Sequence, residues 1–400
     1  MAQPQKVDVK QPTRSRIAEK VVQIPPSGIR AFFELVIGRD DVLSLGVGEP
    51  DFPTPWRICE GAQYHVIRGE TSYTSNSGLL SLRKKIARYL ADRFLVQADP
   101  EGEILITVGA SEGMDLALRA LLNPGEEAIV WEPCYVAYAP LVRLTGATPV
   151  ILEARGEDGF QLDLARLKSL ITPKTRAILL NYPNNPTGMT LQRPTLEALL
   201  RVAVENEIVI VSDEIYAEMT HDGDHFSIAS IPEAAEWVLL LSGFSKAFSM
   251  TGWRIGFAAG PSDIISAMTK IHQYSMLCAP IMGQRAAEIA LREGMEDMRR
   301  MCEVFRQRRN YIVKGLNEIG LPCHKPGGAF YAFPSIKHTG LDSVEFCRRL
   351  LEDEQIAIVP GNAFGAAGEG YVRLAYAVGF DTIDRALEGI GRFLKKLGAA

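Results

Sequence analysis

Between about residue 100 and residue 260 the chain alternates short apolar runs with longer stretches whose apolar positions recur every three or four residues. The runs Ile104–Val108, Ala128–Trp131, Thr148–Leu152, Arg176–Asn181, Ile208–Ser212, Val238–Leu241 and Ile255–Ala259 are each four to six residues long. They are apolar on both faces, and helix-length connections join them. That combination predicts a mostly parallel sheet buried under helices on both sides. The helices expected between the strands include Ser111–Leu122 and Pro194–Asn206, each opened by a helix start signal. The fold class expected is α/β, with a large domain built on a mostly parallel seven-stranded sheet.

Beyond about residue 294 the pattern changes. A long charged helix is expected from Glu296 to Ile319, followed by the breaker Pro326-Gly327-Gly328. Strands are expected at Ala329–Phe333, Ile356–Val359 and Tyr371–Tyr376, with a helix near Ser343–Asp353. This reads as a smaller α+β domain. No repeats or low-complexity tracts interrupt the chain. Gly46-Val47-Gly48 lacks the third glycine and the following helix of a dinucleotide fingerprint, which disfavours a nicotinamide-binding enzyme.

Composition narrows the classes. Four hundred residues, 47% of them hydrophobic, supply a large core and suggest two or three domains. A formal net charge of −5 gives no electrostatic footprint for nucleic acid or an anionic membrane. No apolar run approaches the roughly 18 residues of a membrane-spanning helix. Met1-Ala2-Gln3-Pro4-Gln5-Lys6 lacks the apolar stretch of a signal peptide, and the expectation is a short mobile tail. The six cysteines form no CxxC pair, so the reading is a cytoplasmic protein with free thiols and no metal. His221 and His225 have i, i+4 spacing, but the turn Asp222-Gly223-Asp224 between them predicts a solvated loop.

Candidate chemistry concentrates in residues 243–256, Gly-Phe-Ser-Lys-Ala-Phe-Ser-Met-Thr-Gly-Trp-Arg-Ile-Gly. Lys246 stands among small and apolar residues, and desolvation there favours a neutral, nucleophilic amine able to form Schiff bases. Arg254, eight residues on, offers a planar fork of donors suited to phosphate. An aldehyde carrying a phosphate is pyridoxal 5′-phosphate (PLP). Two upstream segments strengthen that reading, because a lone lysine is ordinarily a surface group. Asp213 closes an apolar run, at the end of a strand where open α/β sheets keep ligand groups, and a carboxylate there suits a pyridine nitrogen. The turn Asn181-Tyr182-Pro183-Asn184-Asn185-Pro186-Thr187-Gly188 presents Asn185 at the mouth of the sheet.

Together these residues resemble the class I/II aminotransferases, PLP enzymes of fold type I. The likeness extends through Gly48-Glu49-Pro50-Asp51-Phe52, Tyr73-Thr74 with Gly78 and Leu82-Arg83, and Gly109-Ala110-Ser111. It continues in Asp213-Glu214-Ile215-Tyr216, Gly327-Gly328-Ala329-Phe330-Tyr331 and Val372-Arg373-Leu374. Within the family the pattern is closest to the broad-specificity aspartate/aromatic branch. The resemblance implies a tail at 1–14, a segment at 15–48 folded onto the small domain, a large PLP-binding domain at 49–293 and the small domain at 294–400.

It also implies roles. Lys246 would carry the cofactor as a Schiff base and move the substrate proton, while Asp213 would hold the pyridine nitrogen protonated. Tyr216 and Asn185 would reach the ring's phenolic oxygen, and Tyr135 would stack on the ring. The phosphate would lie on Gly109, Ala110 and Ser111 at a helix N-terminus, with Arg254 as countercharge and Tyr73 reaching over from a partner subunit. Arg373 would clamp the substrate α-carboxylate, assisted by Gly48. Many relatives place a serine where this chain has Gly243; Ser245 is the candidate to replace its contact.

The activity implied is a ping-pong transfer of an amino group from an L-amino acid to a 2-oxo acid such as 2-oxoglutarate, in a homodimer with shared active sites. Dicarboxylate-specialised relatives can place a lysine where this chain has Ser111, which favours aromatic or other neutral donors. Alternatives are an aspartate-specific aminotransferase, another fold type I enzyme such as a β-lyase, and a non-catalytic PLP-binding regulator. A carboxylate clamp argues against decarboxylation. A regulator would need a DNA-binding domain, for which the residues before Ser15 leave no room.

Overall fold

The computed structural model describes residues 16–26, 28 and 41–398. The expected tail at 1–14 and most of the segment from 27 to 40 lie outside the described residues. Seven strands form the central sheet: β2 (Ile104–Thr107), β3 (Glu127–Glu132), β4 (Thr148–Glu153), β5 (Thr175–Asn181), β6 (Val209–Asp213), β7 (Val238–Gly243) and β8 (Gly256–Ala259). Their order is β2-β8-β7-β6-β5-β3-β4. Every pairing is parallel except those of β8, which runs antiparallel to both neighbours. The exception has a local cause. Residues 244–255 hold turns and no helix, so the chain returns beside β7 without the crossover a parallel neighbour needs.

Helices cover the sheet because its strands are apolar on both faces. Three buried clusters result, one around Ile129, Leu180, Ile210 and Leu199, a second around Val130, Leu179, Val211 and Leu241, and a third around Ile106, Leu240, Phe257 and Ile86. The observed strands agree with the apolar runs to within a residue or two.

The C-terminal part carries the helices Met295–Glu318, Ser343–Glu354 and Phe380–Leu397. It also carries β9 (Tyr331–Ala332), β10 (Ile356–Ala357), β11 (Val359–Pro360) and β12 (Val372–Ala375). The expected strand Ile356–Val359 is divided. Its first half pairs in parallel with β1 (Leu43–Ser44), and its second half joins the antiparallel sheet β11-β12-β9. A run apolar throughout does not reveal which partner each half will find. The N-terminal segment makes contacts on both parts: Lys20 Nζ donates to Leu144 O of the helix Tyr138–Thr145, and β1 joins β10.

The C-terminal part is stitched to the sheet's carboxyl edge by backbone bonds. His221 N donates to Gly327 O (2.8 Å), Gly328 N to Gly188 O (3.0 Å) and Ala329 N to Met219 O (3.1 Å). The approach is close enough to require glycine at 188, which has a φ of +66° and where a Cβ would lie 2.3 Å from Pro326 Cβ. Arg309, fully buried on the long helix, forks onto Asp222 (2.6 and 2.9 Å) and donates to Pro326 O.

The His221–His225 loop is not the solvated loop expected. His221 is buried, within hydrogen-bonding distance of Ala329 O (2.7 Å) and Tyr376 Oη (3.2 Å), and burial lowers its pKa to about 4. The His225 ring stacks on Tyr182 and bonds to the buried Glu214 carboxylate (2.7 Å). Only the connecting turn at Gly223 faces water. Periodicity did not show this, because both rings fold back under the seam on either side of that turn.

Candidate active site

The sheet's topology assembles the site. Asn181 and Asp213, the last residues of β5 and β6, lie opposite each other in register, and Asp213 faces Leu241 of β7. Because β8 is antiparallel, its first residue Gly256 also sits at this edge, opposite Thr107 and Gly243. Lys246 follows β7 by three residues and Arg254 precedes β8 by two, so both emerge where the parallel strands end. A cavity of about 760 Å³ opens there. It brings together Gly48, Ala110, Ser111, Tyr135, Asn185, Asp213, Tyr216, Ser245, Lys246, Arg254 and Arg373 of the expected residues.

Asp213 is buried. Its Oδ2 accepts from Tyr138 Oη (2.6 Å) and its Oδ1 from Ile215 N (3.2 Å). Burial raises its pKa to about 6, and the two hydrogen bonds oppose the rise. Behind it the Glu214 carboxylate accepts from Tyr182 Oη (3.0 Å), Ser212 Oγ (2.8 Å) and Ser227 Oγ (3.0 Å), which fixes the turn that follows β6.

Lys246 sits in a turn, and its Nζ donates to Gly48 O (2.6 Å). Burial lowers its pKa to about 8; Arg373 and Arg254 push the same way, against Glu49 and Asp213. An amine with that pKa is roughly one-tenth neutral at pH 7, a far larger share than an ordinary lysine has. Tyr216 Oη bonds to Tyr331 Oη (2.8 Å), and Lys246 Nζ stands 5.9 Å from the centroid of the Tyr216 ring.

Arg373, 2% exposed, is held between the Tyr331 and Phe364 rings and donates to Asn185 Oδ1 (3.0 Å) and Gly46 O (2.5 Å). Its buried Nε has no partner. A Cβ at Gly48 would come 2.9 Å from Tyr331 Oη, so this position admits only glycine without displacement.

On the opposite side, Gly109 (φ +80°) caps the helix Ala110–Leu121. A Cβ on Gly109 would lie 2.8 Å from Arg254 Nη2, which packs the guanidinium against the first helical turn. The amides opening that turn have no intrahelical acceptor and make an anion cradle. Glu112 fastens the turn from behind, its carboxylate taking Val108 N (2.5 Å) and His272 Nδ1 (2.8 Å). Gly243 also has a packing reason. A Cβ there would lie 2.9 Å from Gly256 Cα, so a side chain would press β7 against β8.

Tyr73 does not reach the cavity of its own chain. It is 82% exposed, on the loop between the helices Trp56–Ile67 and Leu80–Phe94. Sequence reasoning missed Tyr138, Glu49 and a role for Tyr331. Tyr138 begins the helix Tyr138–Thr145, and its ring meets that of Tyr135 edge to face at 5.7 Å.

With this geometry in hand, the comparisons with known proteins are consistent. Residues 40–390 match the model of the family described as aminotransferase class I and II, and the chain belongs to that family. It is an aminotransferase, which moves an amino group between an amino acid and a 2-oxo acid, and enzymes of this family depend on PLP. The chain is similar to the aromatic-amino-acid aminotransferase 2 of Thermococcus litoralis, at 41% identity over 95% of this chain and 98% of that one. It is equally similar to an aspartate aminotransferase of Pyrococcus abyssi, at 42% identity over 95% and 98%. The crystal structure of an aromatic aminotransferase from Pyrococcus horikoshii superposes with a TM-score of 0.88 at 42% identity, covering 93% of this chain and all of that one.

The Asp213 environment has a measurable consequence in the cofactor-free protein. Its folded-state pKa of about 6 exceeds the ordinary 3.8, so the folded chain holds this proton more tightly than the unfolded chain. The resulting stabilisation is present at low pH and is lost as pH rises through that window. Asp213→Asn, neutral throughout, lacks the loss. Urea unfolding should show wild type falling relative to the variant by up to about 3 kcal/mol between pH ~4 and ~6.5, and no further above. A gap that stays constant would place the carboxyl in water.

Proposed function

We propose that the cavity binds PLP and runs both halves of a ping-pong transamination. The observation that carries this reading is the convergence of Lys246, Asp213 and Arg373, from three distant segments, on one cavity with an anion cradle at its far side. The residues fit the group. A buried carboxylate, steadied by Tyr138, suits a protonated ring nitrogen. The amides of Gly109, Ala110 and Ser111 with Arg254 and Ser245 suit a phosphate, and Tyr135 and Tyr216 flank the space between.

When bound, PLP supplies an electrophilic carbon for the substrate nitrogen and a ring that withdraws electrons from Cα. The chain's own work is positioning and proton handling. Arg373 takes the α-carboxylate with its planar fork, at a place where Asn185 and Gly46 fix the guanidinium. Lys246 Nζ, lowered in pKa and fixed by Gly48 O, takes the Cα proton and returns it on the other side of the reaction. Asp213 would pair with the protonated ring nitrogen, and Asn185 and Tyr216, the latter bonded to Tyr331, would reach the ring's phenolic oxygen.

Aromatic or other neutral L-amino acids are the proposed donors, with 2-oxoglutarate as acceptor. Ser111 adds no cation beside the cradle, and Val47, Tyr135 and Ile215 give part of the wall an apolar face. Borohydride reduction of the loaded enzyme followed by peptide mapping should find the pyridoxyl group on Lys246. In a panel of donors assayed against 2-oxoglutarate, phenylalanine and tyrosine should exceed aspartate in kcat/KM. A label on another lysine, or a strict preference for aspartate, would contradict the assignment.

We also propose a homodimer that shares its active sites, with Tyr73 reaching the partner's phosphate cradle. Supporting it are the exposure of Tyr73 and of the apolar side chains Trp56, Tyr64 and Ile67 on the preceding helix, and of Tyr274 at the end of the helix Ser262–Ser275, beyond which Leu277 O accepts from Asn76 Nδ2 (2.7 Å). Subunit exchange in an equal mixture of inactive Lys246→Ala and inactive Tyr73→Ala chains should restore about a quarter of the wild-type activity, because about half of the dimers are hybrids and each has one intact site of its two. Absence of recovery in proven hybrids would assign Tyr73 to its own chain. The cysteines of the described residues are all unpaired, which fits a reducing cytoplasm; cell fractionation tests that placement.

A further inference from the structure

The segment from Gly46 to Phe52 delivers two backbone carbonyls to the site, Gly46 O to Arg373 and Gly48 O to Lys246. It has no helix or strand of its own. Among the described residues no backbone amide from Gly46 to Thr54 donates to a backbone carbonyl. Something else must hold it in place, since an irregular segment without backbone bonds loses its geometry readily. Upstream the anchor is Leu45, whose N–H donates to Ala357 O (2.9 Å) and whose carbonyl accepts from Ala375 N (2.6 Å). Downstream Thr54 Oγ1 donates to Ser249 O (2.6 Å) and accepts from Trp253 Nε1 (2.9 Å). Between these anchors, next to the two site-facing carbonyls, stands one charged contact.

That contact is a fork. Arg308, 7% exposed on the long helix Met295–Glu318, donates from Nη1 to Asp51 Oδ1 (2.7 Å) and from Nη2 to Asp51 Oδ2 (2.9 Å). Its guanidinium lies 5.3 Å from the Phe52 ring centroid and 5.8 Å from that of Phe305, and the two rings meet edge to face. A bidentate pair fixes direction as well as distance, and a buried arginine strongly opposes loss of its carboxylate. Arg309, the next residue, fastens the seam at Asp222 and Pro326, so this part of the helix is itself immobilised. The fork therefore transmits a fixed reference to a segment that has none.

We infer that Arg308 and Asp51 are positioning residues for substrate binding. They hold the 46–52 segment so that Gly46 O orients Arg373, and neither touches substrate itself. This rests on the reading of Arg373 as the α-carboxylate clamp. The consequence is a defect in carboxylate affinity common to every substrate, because all of them present the same group to the same guanidinium.

The test compares the loaded wild-type enzyme with Asp51→Asn and with the double variant Asp51→Asn/Arg308→Met. The methionine fills the space between Phe52 and Phe305 without leaving a buried charge unpaired. Three quantities are measured: unfolding temperature, kcat and KM for the amino and oxo acids, and calorimetric affinity for hydrocinnamate, a carboxylate with no amino group to react. Asp51→Asn should raise every KM and the hydrocinnamate Kd about tenfold, with kcat changed less than about threefold. The double variant should regain the wild-type unfolding temperature and keep the raised KM and Kd, which a purely structural role would not produce. Wild-type affinities in either variant, or a fall in kcat with KM unchanged, would overturn the inference. If the wild type transaminated none of the donors, the reading of the site would fall, while the hydrocinnamate affinities would still decide the clamp.

Discussion

Removing charge from water at the carboxyl edge of a parallel sheet is the constraint on which the rest of this structure depends. Asp213 and Arg373 are buried, and what exposure Lys246 keeps is toward the cavity it lines. Isolated ionised groups in such a place would be prohibitively unstable. Here each has partners whose geometry is set by a different element: Tyr138 for Asp213, Gly48 O for Lys246, Asn185 and Gly46 O for Arg373. Desolvation then becomes useful. It pushes the carboxyl up and the amine down, so that both titrate nearer to neutral pH than in water.

The glycines and the irregular segments serve this constraint. Gly256 lets the helix Ala110–Leu121 approach β8, Gly109 leaves room for the Arg254 guanidinium, and Gly48 lets a carbonyl reach Lys246 beneath the Tyr331 hydroxyl. Lys246 and the Gly46–Phe52 segment lie outside regular structure, whereas Asp213 ends β6 and Arg373 lies in β12; behind them stand the pairs Glu112–His272, Glu214–His225 and Asp51–Arg308. In each pair the carboxylate belongs to a segment at the site and the cation or imidazole to a supporting one, except that Glu214 and His225 both follow β6. The division separates the chemistry from the scaffold that aims it.

Much of this was legible in the sequence. The seven strands followed from apolar runs bounded by turn residues; Lys246, Asp213, Asn185 and Arg254 stand at the ends of such runs or in their turns, and Arg373 was named through the family resemblance. What was not legible were facts about contact across the fold. The antiparallel course of β8 depends on the turn geometry of residues 244–255, and the division of Ile356–Val359 depends on two different partners. Arg308 and Arg309 read as part of a charged helix face, and only tertiary structure shows that both are buried against carboxylates. His225 read as solvated because its neighbours Asp222, Gly223 and Asp224 are, whereas its ring turns inward onto Tyr182 and Glu214.

The central claim is that the fold itself, through burial, lowers the pKa of Lys246 to about 8. Competitive labelling with a small amine reagent measures this directly in the cofactor-free protein. The extent of modification of Lys246 is followed by mass spectrometry against pH, with an exposed lysine such as Lys314 as the internal reference. The account predicts half-maximal reactivity at a pH of about 8 for Lys246. A midpoint near the ordinary value of 10.5 would contradict it.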